Sequence, residues 1–291
     1  MRIAFIGLGQ MGAPMAQNLV SAGHDVIGYD LATPATPPCA LAERLEDVII
    51  GAEMILTMLP HGAAVTEVSE ALLPLIAKGT IWCDCSTIDI ASARALHEAA
   101  AAKGIPCLDA PVSGGISGAE AGTLTFMIGG SDVAVSAARP VLEVMGGKLV
   151  HCGEAGAGQA AKLCNNMILG ITMIGTCEAF ILADQLGLSR QALYDVVSTS
   201  SGQSWSLTTY CPAPDIGPNS PADRDYQPGF STALMAKDLT LAMQAADETG
   251  TPAALGALAH KLYEEFASDE AMARKDFSAM LPHLQSLIRD R

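Results

Sequence analysis

A short glycine pattern near the N-terminus constrains this chain more than any other feature. Gly7-Leu8-Gly9-Gln10-Met11-Gly12 fits G-x-G-x-x-G and lies between an apolar run, Arg2–Ile6, that reads as a strand and a run over 11–22 that reads as a helix. Glycines at these positions permit a tight turn, close approach of a pyrophosphate and close helix–strand packing, and the helix N-terminus then faces the negative charge. Asp30 closes the next strand, Asp25–Tyr29. A carboxylate there accepts hydrogen bonds from a ribose 2′-hydroxyl and repels a 2′-phosphate, so the expected cofactor is NAD rather than NADP. A glycine turn in an unrelated α/β protein is the plainer alternative, and the correct placing of strand, helix and acid argues against it.

The remaining chain is long enough for a second domain. Its 291 residues carry 31 acidic and 16 basic side chains, a formal net charge of −15. That balance excludes electrostatic binding to nucleic acid or anionic lipid, which both need basic stripes. With half the residues hydrophobic, the chain can bury enough surface to offset its ordering entropy, which excludes disorder. The cysteines (39, 83, 85, 107, 152, 164, 177 and 211) are scattered without a C-x-x-C and are expected to be small buried apolar residues in a reducing compartment. The histidines are equally dispersed, so no metal site is expected. No leader peptide is visible, and the cytoplasm is the expected address. The apolar stretch 163–182 carries Asn165, Asn166 and Glu178, with Lys162 at its edge, and reads as a helix buried between domains rather than a membrane span.

Strand-like runs at 54–59 and 80–84, separated by a helix ending near residue 77, continue a βαβ alternation that implies a parallel sheet covered on both faces. The proline-rich segment 31–41 reads as a loop, and the Gly-rich stretch 113–122 as a separator between short strands at 106–108 and 125–128. A helix over Asp132–Met145 and a strand over 148–150 follow. Beyond Gly158 the pattern is helical, with helices over 158–186, 189–199, Thr232–Thr249, 252–267 and near the C-terminus, and a long proline-rich loop over 211–229. The expected organisation is a doubly wound, mostly parallel Rossmann-type domain over 1–157 and an all-helical domain over 158–291, joined by a long helix.

Two further clusters carry chemistry. Lys162 and Asn166 are four apart and share a helix face. On so apolar a helix, a lysine either snorkels to solvent or is desolvated into a usable general base; beside a dinucleotide fold the second reading gains, because oxidising an alcohol needs a proton acceptor. In Asp109-Ala110-Pro111-Val112-Ser113-Gly114-Gly115, a serine hydroxyl and successive glycine amides can form an anion site, although an ordinary Gly-rich turn fits the local sequence equally well. Lys237-Asp238, within a helix, reads by itself as a solvated pair.

Together these clusters resemble one family, the β-hydroxyacid dehydrogenases, across essentially the whole chain. The resemblance also takes in Thr57-Met58-Leu59-Pro60, Asp84-Cys85-Ser86-Thr87, the segment 200–210 and Gly229-Phe230-Ser231. It implies that Lys162 is the catalytic acid/base and that Asn166 holds the substrate. It further implies that Ser113, Gly114 and Gly115 bind the substrate carboxylate and that Trp205 walls the substrate pocket. Leu59, Pro60 and Thr87 would line the nicotinamide site, Lys237 would reach the cofactor, and Gly7, Gly9, Gln10, Met11, Gly12 and Asp30 would complete the cofactor set. Two departures stand out: the segment from Asp30 to Leu59 is short, with prolines where the family has a helix, and Ala64 stands where many relatives have an asparagine.

The reaction the resemblance implies is NAD-dependent oxidation of 3-hydroxyisobutyrate to methylmalonate semialdehyde, a step of valine breakdown. Reduction of another small semialdehyde, tartronate or succinic, is the rival within the class. From a different class, the rival is a dinucleotide-binding module without catalysis, against which the presence of both Lys162 and Asn166 speaks. The partners expected are a small hydroxy acid and further copies of the chain, as a homodimer or homotetramer; nucleic acid and membrane are not expected.

Overall fold

The computed structural model describes residues 1–32 and 35–289. The chain folds as two units, Met1–Lys162 and Leu163–Arg291. The first contains strands β1 (Arg2–Ile6), β2 (Asp25–Tyr29), β3 (Ala40–Leu41), β4 (Met54–Thr57), β5 (Ile81–Asp84), β6 (Cys107–Asp109), β7 (Val112–Ser113), β8 (Leu124–Gly129) and β9 (Gly146–Gly153). Its helices are α1 (Gly12–Ser21), α2 (Leu45–Val48), α3 (Gly62–Leu72), α4 (Ile90–Ala101), α5 (Gly115–Ala121) and α6 (Asp132–Met145). Helix α7 (Ala157–Gln185) begins in this unit and continues into the second, which adds α8 (Arg190–Val197), α9 (Trp205–Thr208), α10 (Thr232–Thr249), α11 (Ala254–Ala267), α12 (Glu270–Ala273) and α13 (Met280–Arg289).

The sheet runs β3-β2-β1-β4-β5-β6-β8-β7, with β9 alongside β8. From β3 to β6 every pairing is parallel; β8 runs antiparallel to β6 and β7. Because side chains alternate across a strand, both faces are buried: Ile3 and Phe5 pack with Met15, Leu19, Phe126 and Leu142 on one side, and Ala4 and Ile6 with Val65, Leu72, Trp82 and Leu96 on the other. This is the doubly wound, mostly parallel architecture expected. The chain order reverses on either side of β1, so the crevice at the carboxyl ends of β1 and β4 is where such a sheet takes its ligand.

Three local features depart from expectation. The Gly-rich stretch 113–122 is not a plain separator, since it forms β7 and then α5. Gly114 (φ +138°) and Gly122 (φ +66°) bound that helix in conformations only glycine takes readily, and Asn18 of α1 donates to the carbonyl of Ala119 at 2.7 Å. In place of the loop expected over 31–41, two residues pair with β2 as β3, while residues 33 and 34 lie outside the described residues. Of the cysteines, 83, 85, 107, 177 and 211 are buried as expected, but Cys164 is exposed on α7.

In the second unit, Met173, Cys177 and Phe180 of α7 pack with Met235, Leu239, Tyr263, Phe266 and Phe277. Helix α7 is long and apolar enough to cross a membrane by length and composition. Only 39% of its most apolar window is buried in this chain, and Ile168 and Leu182 are exposed. The segment 211–229 is pinned at several points: Ser220 Oγ donates to the carbonyl of Cys211 at 2.7 Å, and Tyr226 to that of Pro212 at 2.9 Å.

Candidate active site

The glycine loop leaves β1 and enters α1 without a side-chain cap, whereas α3, α4 and α6 of the same unit are capped by His61, Asp89 and Ser131. The first-turn amides of α1 are therefore not closed off by the protein's own side chains. Gly12 is required by close approach, since a Cβ there would overlap the carbonyl of Gly7; a Cβ at Gly9 would instead point into open space with no atom within 4 Å. The Ala13 amide donates to the Gly9 carbonyl at 3.0 Å and Pro14 has none, so it is the uncapped helix start with the space left clear at Gly9 that fits a pyrophosphate. Asp30 stands beside this loop. Its carboxylate accepts the N–H of Leu8 at 2.6 Å and of Ala32 at 2.9 Å, which fixes it against the turn.

The loops after β4 and β5 lie side by side because their strands pair in parallel. The amide of Leu59 donates to Ser86 Oγ at 2.8 Å, and Ser86 Oγ donates to Asp84 Oδ1 at 2.6 Å. The same oxygen accepts Thr57 Oγ1 at 2.7 Å, and Thr57 in turn accepts the indole N–H of Trp82 at 3.2 Å. Asp84 Oδ2 is buried with no hydrogen-bond partner. Burial pushes the Asp84 carboxyl up to about 6, against the hydrogen bonds from Ser86 and Thr57 and with a further push from the charge of Asp109. Leu59 and Thr87 are half-buried in these loops, and Pro60 is exposed.

Ser113 ends β7, and Gly114 (φ +138°) and Gly115 (φ +63°) turn the chain into α5, which has no side-chain cap. Lys162 lies on α7 and is 6% exposed, so it does not snorkel. Gln159, one turn earlier, is fully buried; its side chain donates to the carbonyl of Ser86 at 2.7 Å and accepts the N–H of Ile88 at 3.2 Å.

In the second unit, Asn166 Nδ2 donates to Asp238 Oδ2 at 2.5 Å, and Lys237 Nζ lies 3.5 Å from Asp238 Oδ1. The solvated pair expected at 237 and 238 is thus corrected: Asp238 is 2% exposed and is the group that joins Asn166 to Lys237. Trp205 is exposed and stacks on Tyr210 at 4.9 Å, whose hydroxyl donates to Asp276 at 2.9 Å. Asp84, Ser86, Gln159 and Asp238 had no role in the expected site. The available signal was Asp84 and Asp109 at the carboxyl ends of adjacent parallel strands, the edge where such sheets do chemistry.

Fold and loop together define a protein that binds a nicotinamide dinucleotide. A family model described as the NAD binding domain of 6-phosphogluconate dehydrogenase matches residues 2–153. A second, described as NAD-binding of NADP-dependent 3-hydroxyisobutyrate dehydrogenase, matches residues 156–284. A Mycobacterium tuberculosis protein named a probable 3-hydroxyisobutyrate dehydrogenase is 48% identical, covering 98% of each chain. A Pseudomonas aeruginosa protein named an NAD-dependent L-serine dehydrogenase is 45% identical over 96% of each. A solved structure of M. tuberculosis 3-hydroxyisobutyrate dehydrogenase with L-serine superposes with a TM-score of 0.93 at 48% identity, covering 97% of this chain and 98% of that one. The chain belongs to the β-hydroxyacid dehydrogenase family.

Proposed function

We propose that the protein oxidises 3-hydroxyisobutyrate to methylmalonate semialdehyde with NAD, reversibly, as a soluble cytoplasmic enzyme of valine breakdown. The observation that carries this reading is Lys162, a lysine buried to 6% exposure on α7 within the dinucleotide-binding unit. Gly7, Gly9, Gln10, Met11, Gly12 and Asp30 hold the dinucleotide, with Leu59, Pro60, Thr87 and Lys237 toward its nicotinamide. When bound, the nicotinamide supplies the hydride acceptor. Ser113 and the amides of Gly114 and Gly115 hold the substrate carboxylate. Asn166 orients the hydroxyl, and Asp238, by accepting its amide, sets which way that side chain presents its oxygen. Neutral Lys162 takes the hydroxyl proton as the carbon–hydrogen bond breaks. Trp205, braced by Tyr210, walls the pocket. Exposed Ile168 and Leu182 on α7 fit assembly into a homodimer or homotetramer, which sedimentation would distinguish.

The test is absorbance at 340 nm with NAD or NADP and a panel of 3-hydroxyisobutyrate, L-serine, glycerate, 3-hydroxypropionate and 4-hydroxybutyrate. NADH formation greatest with 3-hydroxyisobutyrate is the expected result. A preference for L-serine, the second reading favoured by the Pseudomonas relative, would replace the substrate and keep the chemistry. NAD binding without turnover of any of them would overturn the enzyme reading in favour of a binding module. The cofactor preference has its own variant. Replacing Asp30 with alanine removes the charge that would repel a 2′-phosphate, and the NAD-to-NADP ratio of kcat/KM should fall at least about tenfold. An unchanged ratio would remove Asp30 from that role.

A further inference from the structure

Asp109 ends β6 and is 1% exposed, yet nothing in the proposed chemistry uses it. Its carboxylate is aimed at the start of α7. Oδ1 accepts the N–H of Gly156 at 2.8 Å, Oδ2 accepts the N–H of Gln159 at 2.9 Å, and His97 Nε2 of α4 lies 3.0 Å from Oδ1. A buried carboxylate is costly unless donors surround it, and the open amides of a helix's first turn are among the best donors for it. The fit is close on the helix side too, because a Cβ at Gly158 would overlap the carbonyl oxygens of Met127 and Asp109.

That joint has two dependants. Lys162 follows Gln159 on the next turn of α7, so the axial position and rotation of the first turn decide where its amine stands. Gln159 itself grips the backbone on both sides of Thr87, through the Ser86 carbonyl and the Ile88 amide. One carboxylate thus ties together the lysine and a loop assigned to the nicotinamide.

We propose that Asp109 is a positioning residue of the reaction, whose buried carboxylate locks the first turn of α7 and thereby registers Lys162 against the Thr87 loop. The inference rests on the reading of Lys162 as acid/base. In Asp109→Asn one oxygen becomes an amino group, so a donor faces a donor either at the Gln159 amide or at the Gly156 amide. The helix start relaxes there, and misplacement of a catalytic group by about 1 Å can cost of the order of a hundredfold.

The experiment uses the full-length enzyme and whichever hydroxy acid turns over, unlabelled and deuterated at the carbinol carbon. For Asp109→Asn we expect kcat to fall at least about tenfold, with the NAD dissociation constant and KM within about twofold, and the deuterium isotope effect on kcat to rise as the chemical step becomes limiting. His97→Ala, which removes only the donor on the α4 side, is the milder variant and should shift the same quantities in the same direction. Thr80→Ala, which loses the buried bond to the Ala52 carbonyl, controls for lost stability and should leave the isotope effect unchanged. A merely structural role would lower the active fraction without raising the isotope effect. Wild-type kcat and isotope effect in both the Asp109 and His97 variants would overturn the proposal. Lys162→Ala, assayed alongside, separates the two claims: if it is inactive while the Asp109 variant is normal, the positioning role fails and the lysine assignment stands.

Discussion

Lys162→Ala should lower kcat by at least about a hundredfold while the protein stays folded and binds NAD with unchanged affinity. A single positioned proton acceptor contributes about 10²–10⁴-fold, equivalent to roughly 3–5 kcal/mol of barrier. Loss of the amine leaves the hydroxyl proton no acceptor except water, and Lys162 is too buried for bulk water to serve well. If the role is proton transfer, a small exogenous amine such as methylamine should restore part of the rate, because truncation to alanine vacates the volume of the side chain. Rescue should increase with the neutral fraction of the amine, and hence with pH. The checks are steady-state turnover, NAD titration by fluorescence and thermal melting. Turnover within a fewfold of wild type would remove Lys162 from the chemistry. Loss of NAD binding along with turnover would reassign it to the cofactor site.

What the linear sequence discloses about this architecture is what is locally encoded. Helix α10 can be read to the residue because Ser231 caps its first turn through the Leu234 amide and Gly250 ends it at φ +65°. The same holds for α6 behind Ser131. The glycine loop is legible because its spacing is compact: Gly7 turns the chain at φ +94°, Gly12 admits the carbonyl of Gly7, and Gly9 leaves space open. By contrast, α5 is unreadable: its glycines oppose helix formation, and what holds it is the tertiary contact with Asn18 of α1. The same limit governs the site. Gln159 binds the Ser86 carbonyl across 73 positions, and Asn166 binds Asp238 across 72, so neither pairing has a local signature. Lys237 and Asp238 look like a surface pair in isolation because the partner that draws Asp238 inward is on another helix. Asp84 and Asp109 are informative only once adjacent strands are known to place them side by side.

Asp84→Asn should abolish a stability penalty that grows between about pH 4 and pH 6. For this acid the folded-state value, about 6, lies above the ordinary value of 3.8. As pH rises through that window, the unfolded chain releases its proton first. The folded state then holds more protons than the unfolded one, and stability falls with pH until both forms are ionised. Stability tied to this group is fully present below about pH 4 and is lost by about pH 7, to an extent of about 3 kcal/mol at roughly 1.4 kcal/mol per unit. Asparagine retains the oxygen that accepts Thr57 and both donors of Ser86 but cannot ionise. Relative to wild type, the variant should therefore gain stability as pH rises from 4 to 7, by roughly 5–10 °C in the melting transition of the first unit. NAD identifies that transition by raising it. Carboxylates shared by both proteins cancel in the difference, so melting curves that stay parallel across the window would show that Asp84 ionises normally. A gain would explain why so costly a group stands at the end of β5: its oxygen orients Ser86, and Ser86 holds the Leu59 amide, so stability is given up for the geometry of the two loops assigned to the nicotinamide.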